Sequence, residues 1–137
     1  MDYMAVTIWA KPVETSHMGS KNLAQLVENA LDNLKGESIT CIDVRKLTEI
    51  TDFMVIVTGR SSTHIKALAD EVVSEVKEAG MDVVGVEGKM QSEWVLVDVG
   101  DVVVHIMLAP VRALYNLEDL WNFHNEAESE LQNHSAD

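Results

Sequence analysis

Within the stretch WVLVDVGDVVVH, Trp94 to His105, two carboxylates and an imidazole lie close together between runs of valine: Asp98, Asp101 and His105. Such a set could hold a divalent metal or relay a proton. A metal shell needs three or four ligands, however, and no further His or Cys stands close in sequence to complete one. Gly100-Asp101 also has another meaning. Between two apolar runs it is a two-residue turn joining antiparallel strands, with glycine taking the positive φ at the first central position.

That turn predicts a register. Val99 opposes Val102, Asp98 opposes Val103, Val97 opposes Val104, Leu96 opposes His105, Val95 opposes Ile106 and Trp94 opposes Met107. One face of the hairpin then carries Val95, Val97, Val99, Val102, Val104 and Ile106, all aliphatic. The other carries Trp94, Leu96, Asp98, Val103, His105 and Met107, large apolar groups mixed with two ionisable ones. Interface cores are rich in Trp and Met, with a few polar groups fixing orientation, so this mixed face reads as a protein-binding surface. Asp98 and His105 stand diagonally and could share a hydrogen bond. The plainer reading is that Asp98 and Asp101 shape the turn and His105 packs at the surface.

A second place for chemistry is TGRSST, residues 58–63, where exposed N–H groups at a strand-to-helix junction could hold a phosphate. It lacks the Gly, Lys, Ser/Thr order of a P-loop and the three glycines of a dinucleotide fingerprint. It also lacks the flanking glycines of a nucleophile elbow. A turn and a helix cap account for it without a ligand.

The elements that must position these residues follow from periodicity. Leu23, Leu26, Val27, Ala30, Leu31 and Leu34 recur at three and four, which predicts a helix with Ser20 as cap and Gly36 as stop. Ile39–Val44 and Phe53–Thr58 are short and rich in β-branched and apolar residues, so both read as strands, the second buried on both faces. Ile65, Leu68, Ala69, Val72, Val73 and Val76 give a second helix with a serine cap, stopped by Gly80. MDVVGVEG predicts a third strand reached by a right-handed parallel crossover. Trp94–Val99 and Val102–Leu108 are two more, Pro110 ending the last. A short helix is expected from Asn116 to Trp121, with Asn116 as cap and Asp119 at the capping-box position. The fold class is α/β: a single domain with about five strands in a mixed sheet and helices packed on it.

The chain has 137 residues, enough for one domain with a real core. Ten Lys+Arg against 23 Asp+Glu leave a net charge of −13, which disfavours direct nucleic-acid binding and favours a basic protein partner. The one cysteine, Cys41, excludes an internal disulfide and suits a reducing cytosol, where it reads as a small buried hydrophobe. With no basic start before an apolar core and no run of about 18 apolar residues, the sequence predicts a cytoplasmic protein with no membrane segment. Residues 1–19 read as an extension, SHMGS within it being a string that cloning leaves behind. Residues 20–121 form the domain, and 122–137 a polar, acidic tail.

TDFMVIVTGRSSTHIKALADEV, VEG, WVLVDVGDVVVHIM and RALYNLEDLW, in this order and spacing, resemble the ribosomal silencing factor family, also called Iojap-like. The resemblance covers Ser20 to Trp121 and is most specific from Trp94 onward. It implies a fold related to nucleotidyltransferases without their catalysis. Those enzymes place an Asp-x-Asp pair on a strand to hold metal, and CIDV offers only Asp43. It further implies no cofactor, no metal and no enzyme. The implied activity is binding to large-subunit ribosomal protein fourteen at the joining face, blocking the small subunit and repressing translation, with a link to large-subunit maturation.

Carried over by position, the implied partner-binding residues are Trp94, Leu96, Asp98, Asp101, His105, Arg112, Tyr115, Leu120 and Trp121. Two departures stand out: Ser92 replaces a glycine usual before the motif tryptophan, and Leu114 an aromatic usual before the motif tyrosine. Leu120 and Trp121 serve equally well as pins of a final helix, and Arg112 as the partner of a nearby carboxylate. The alternatives are a nucleotide-binding enzyme using the Gly59 turn and Asp43, and a scaffold whose mixed face makes a homodimer when free.

Overall fold

The computed structural model describes residues 18–90, 93–117 and 119. Helix α1, Ser20–Asn33, buries Leu23, Ala24, Val27, Ala30 and Leu31, the stripe that the spacing predicts. Gly19, rather than Ser20, is its N-cap. At its C-terminus Lys35 takes the left-handed conformation, with φ 61°. The Lys35 N–H donates to the Asp32 carbonyl and the Gly36 N–H to that of Leu31, both at 2.9 Å, which closes the helix with the paired bonds of a Schellman motif. Gly36 is needed for another reason: a Cβ there would come within 2.7 Å of Val57 Cγ2.

Strand β1, Glu37–Asp43, starts two residues earlier than expected and lies at a sheet edge. Its register against β2 shifts between Glu37 and Thr40, where Ser38 has φ 51°. Cys41 corrects the sequence reading, because an edge strand leaves it exposed. Local desolvation of the sulfur, and then the Glu28 side chain beside it, push the thiol up to about 12. Strand β2, Phe53–Gly59, is buried at all seven positions, as an apolar run without alternation predicts.

Helix α2, Ser62–Glu78, buries Ile65, Leu68, Ala69, Val72 and Val76. Gly80, φ 84°, is its stop, with Gly80 N–H on the Lys77 carbonyl and Met81 N–H on that of Val76. Strands β3 (Gly85–Glu87), β4 (Trp94–Asp98) and β5 (Val102–Leu108) complete a mixed five-stranded sheet of order β1-β2-β5-β4-β3. Only β2 and β5 pair in parallel; every other neighbouring pair is antiparallel. The crossover through α2 therefore returns β3 parallel to β2, but at the far edge, with β5 and β4 between them.

The two long helices cover one face of the sheet, where Val55, Val57, Val95, Val97, Val104 and Ile106 join their stripes in the main core. The other face has a smaller cluster of Val44, Met54, Ile56 and Met107, flanked by Ile42, Trp94, Val111 and Leu117. It lies under an element that the sequence reading missed, helix α3, Ala109–Tyr115. Pro110 ends the strand as expected, yet it does so in the first turn of this helix, where its missing N–H costs nothing. Asn116 is first the left-handed C-cap of α3, with φ 49°. Its side chain also donates to Asp119 at 2.6 Å, and Leu117 and Asp119 are helical. The rest of the predicted Asn116–Trp121 helix lies outside the described residues. Among the described residues, no helix is long and apolar enough to cross a membrane.

Ile106 is fully buried between the long helices and the sheet, whereas Val84 is 68% exposed. Ile106→Ala should lower unfolding free energy by about 2–5 kcal/mol, and Val84→Ala by no more than about 0.5 kcal/mol. Urea denaturation of the two variants checks this.

Candidate partner-binding face

The Gly100-Asp101 turn forms as predicted. Gly100 has φ 92°, and the Val99 N–H donates to the Val102 carbonyl at 3.0 Å. The ladder runs Trp94 to Met107, Val95 to Ile106, Leu96 to His105, Val97 to Val104 and Asp98 to Val103, the register read from the sequence. Asp98 shapes the turn, its Oδ1 accepting the Gly100 N–H at 2.8 Å. The Asp101 carbonyl accepts the N–H groups of Asp52 and Phe53 at 2.9 and 3.0 Å, tying the turn to the start of β2.

The mixed face divides into two zones. Met107 is fully buried and His105 is 8% exposed, because β2 and α3 flank that end of β5. Trp94, Leu96, Asp98 and Val103 are half-buried. No Asp98–His105 bond forms. Instead the Trp94 Nε1–H donates to His105 Nδ1 at 3.0 Å. Tyr115, 55% exposed at the end of α3, sets its ring 4.9 Å from that of Trp94 at an angle of 51°. An open groove of about 250 Å³ runs beside them, lined by Glu87, Gly88, Trp94 and Leu96.

Arg112 holds this arrangement from below. It donates to Thr58 Oγ1 at 2.9 Å and to Thr40 Oγ1 at 3.1 Å, two hydroxyls on neighbouring strands. Leu120 and Trp121 lie outside the described residues. Trp94, Leu96, His105 and Tyr115 are thus brought together, Asp98 and Asp101 sit at the turn end, and the Arg112 side chain reaches from α3 to β1 and β2.

Sequence reasoning missed Gly88 and Leu114. A Cβ on Gly88 (φ 86°) would come within 2.2 Å of the Trp94 carbonyl oxygen, so the groove wall requires glycine, and its signal was VEG just ahead of the motif tryptophan. Leu114, noted only as a departure, is 77% exposed beside Tyr115.

The other places for chemistry are occupied internally. Ser61 Oγ accepts the His64 N–H at 3.1 Å, and His64 Nδ1 accepts the Arg60 N–H at 3.0 Å, so these two N–H groups of the junction already have partners. Gly59 is required by close packing, its Cβ position lying 2.6 Å from Ile65 Cγ1. Asp43 is bound by Arg45 through two side-chain hydrogen bonds, at 3.0 and 2.6 Å. Those bonds hold its carboxyl down at about 2. Among the described residues, no group of three or more His, Cys, Asp or Glu could hold a metal.

Burial pushes the His105 imidazole from the ordinary 6.5 down to about 4. The unfolded chain takes up this proton below pH 6.5, while the folded one resists until about 4. The resulting stability is full above 6.5 and is lost as pH falls toward 4. Between pH 7 and pH 5 the wild type should lose roughly 2 kcal/mol more than His105→Asn, whose side chain does not titrate. Urea denaturation at the two pH values measures this, and parallel losses would contradict it.

Comparison with known proteins places this geometry. The sequence profile of the family described as "Ribosomal silencing factor during starvation" matches residues 17–137. A ribosomal silencing factor of Chromobacterium violaceum is 47% identical over 104 residues, covering 76% of this chain and 85% of that protein. A mouse protein named "Mitochondrial assembly of ribosomal large subunit protein 1" is 32% identical over 114 residues, 81% of this chain and 50% of its own length. A crystal structure of a Chromobacterium violaceum protein superimposes with a TM-score of 0.76 at 47% identity, covering 77% of this chain and 88% of that one. With its five-stranded mixed sheet, its Gly-Asp hairpin and its Trp94 face, the chain belongs to the ribosomal silencing factor family.

Proposed function

We propose that the chain acts in the cytoplasm as a non-enzymatic repressor of translation. In this reading it docks on large-subunit ribosomal protein fourteen at the joining face and sterically keeps the small subunit away. The observation that carries the reading is the half-buried Trp94, with Tyr115 against it and Leu96 beside it along an open groove. Aromatic anchors with an aliphatic neighbour and a polar rim are what a protein-binding hot spot consists of. Family membership supports the ribosome as its place of action, and the name of the mouse relative supports a role in large-subunit assembly.

The charge selects a protein footing rather than an RNA one. A chain of −13 is repelled by phosphate and attracted by the basic surface of a ribosomal protein, with Asp98 and Asp101 at the turn as the rim carboxylates. Occlusion needs no chemistry. A compact chain of this length has a radius of gyration of about 14 Å, so bound at the joining face it would keep the small subunit from closing. Residues 20–121 would form the docking unit.

Sedimentation with purified large subunits tests the reading. Trp94→Ala should weaken binding by at least about 2 kcal/mol and release the block on subunit joining. Asp43→Ala should bind and block like the wild type, because Asp43 only pairs with Arg45. Lost inhibition by a folded Asp43→Ala variant would restore the enzyme reading.

Replacing both Asp98 and Asp101 by asparagine keeps the turn, since an asparagine oxygen can accept the Gly100 N–H as the carboxylate does. It removes two charges, so affinity should fall and its salt dependence should become shallower. Identical binding curves at every salt concentration would confine these carboxylates to turn geometry.

A further inference from the structure

The Trp94 indole presents a polar edge on an apolar plate, and the structure shows what satisfies it. Indole Nε1–H only donates. Its acceptor is His105 Nδ1 at 3.0 Å, with ring centroids 5.8 Å apart and tilted by 50°. His105 is 8% exposed. Its lateral neighbours in the ladder are Ile56 on β2 and Leu96 on β4, both aliphatic. Accepting through Nδ1 requires the neutral ring with its proton on Nε2.

We infer that His105 is the positioning residue of the docking face: its Nδ1 takes up the indole N–H and holds Trp94 as a preformed apolar plate between imidazole and Tyr115. The role rests on the docking reading above. Two costs of docking are thereby met before the partner arrives. The indole rotamer is already fixed, so less side-chain freedom is lost on binding. The indole N–H is already bonded, so the partner can cover Trp94 with purely apolar groups and orphan no donor. His105 itself need not touch the partner, which fits its burial. The class of contact follows: an apolar pocket or aliphatic ridge on the partner at Trp94, with polar contacts confined to the turn end at Asp98 and Asp101.

The test uses the full chain and purified large subunits. His105→Asn puts a carbonyl oxygen where Nδ1 stood, and His105→Phe keeps a flat ring and removes the acceptor. Expected is a loss of affinity of about tenfold for the phenylalanine variant and near wild-type binding for the asparagine variant. The Trp94 indole N–H resonance, assigned from its absence in Trp94→Phe, should move in the first and stay in the second. In a Trp94→Phe background, His105→Phe should cost nothing further. Equal binding by wild type and His105→Phe, or equal losses in both His105 variants, would overturn the inference and leave docking through Trp94 standing. Failure of the wild type to sediment with large subunits would overturn the docking reading, and this role with it. Should His105→Phe not fold, the imidazole nitrogen spectrum of the wild type decides: an unprotonated Nδ1 supports the inference, and a proton on Nδ1 overturns it.

Discussion

The turn at Gly100-Asp101 sets the parity of every side chain on β4 and β5, and through β5 the sheet is joined to β2. A slip of one residue would move Val95, Val97, Val104 and Ile106 out from under the long helices and put Trp94, His105 and Asp98 there instead. Burial of the aliphatic face excludes that alternative far more strongly than the turn alone could. The turn in turn supplies what hydrophobicity cannot, a fixed end from which to count. Asp98 holds it from one side, and the start of β2 from the other through the Asp101 carbonyl.

A sheet face that is half core and half surface needs a cover ending at a definite line. Helix α3 provides it. Arg112 reaches to hydroxyls on β1 and β2 and so pins a helix of seven residues that could not persist alone. Up to that line lie Met107 and His105, closed off; beyond it Trp94 and Leu96 remain accessible. Tyr115 stands at the boundary. Rigidity and exposure, which usually oppose each other, are combined there because the hydrogen bond that holds Trp94 comes from the buried His105.

The hairpin was legible because its signals are local: a Gly-Asp pair, strict alternation on one face and a proline at the end. Both long helices were legible from their stripes, and β2 from seven apolar or small residues in a row. What could not be read depended on distant partners. Cys41 looks buried in an apolar run, yet among the described residues its strand has no neighbour on the outer side. The sequence APVRALY carries too little apolar periodicity to announce a helix, and it becomes one by lying on Met54, Ile56 and Met107. The Trp94–His105 bond escaped detection because Asp98 offered a more familiar partner for an imidazole. The position of β3 beyond β4 follows from the strand order, which no local pattern encodes.

The pairing of β2 with β5 also governs how the chain reaches this state. Phe53 meets Val102, about fifty residues further along, so closing that ladder carries a loop-entropy cost that the β4–β5 hairpin, closed by two residues, escapes. The hairpin can form within microseconds and wait, whereas the parallel ladder belongs to the slow steps of folding. During synthesis the imbalance is sharper. The strand buried at every position leaves the ribosome several seconds before its partner exists, with only β1 to cover one edge and α1 one face. Helix α2, next to emerge, shields part of it by packing on the same face. A protein whose family acts on ribosomes thus meets, as a nascent chain on one, its longest interval of exposed strand edge.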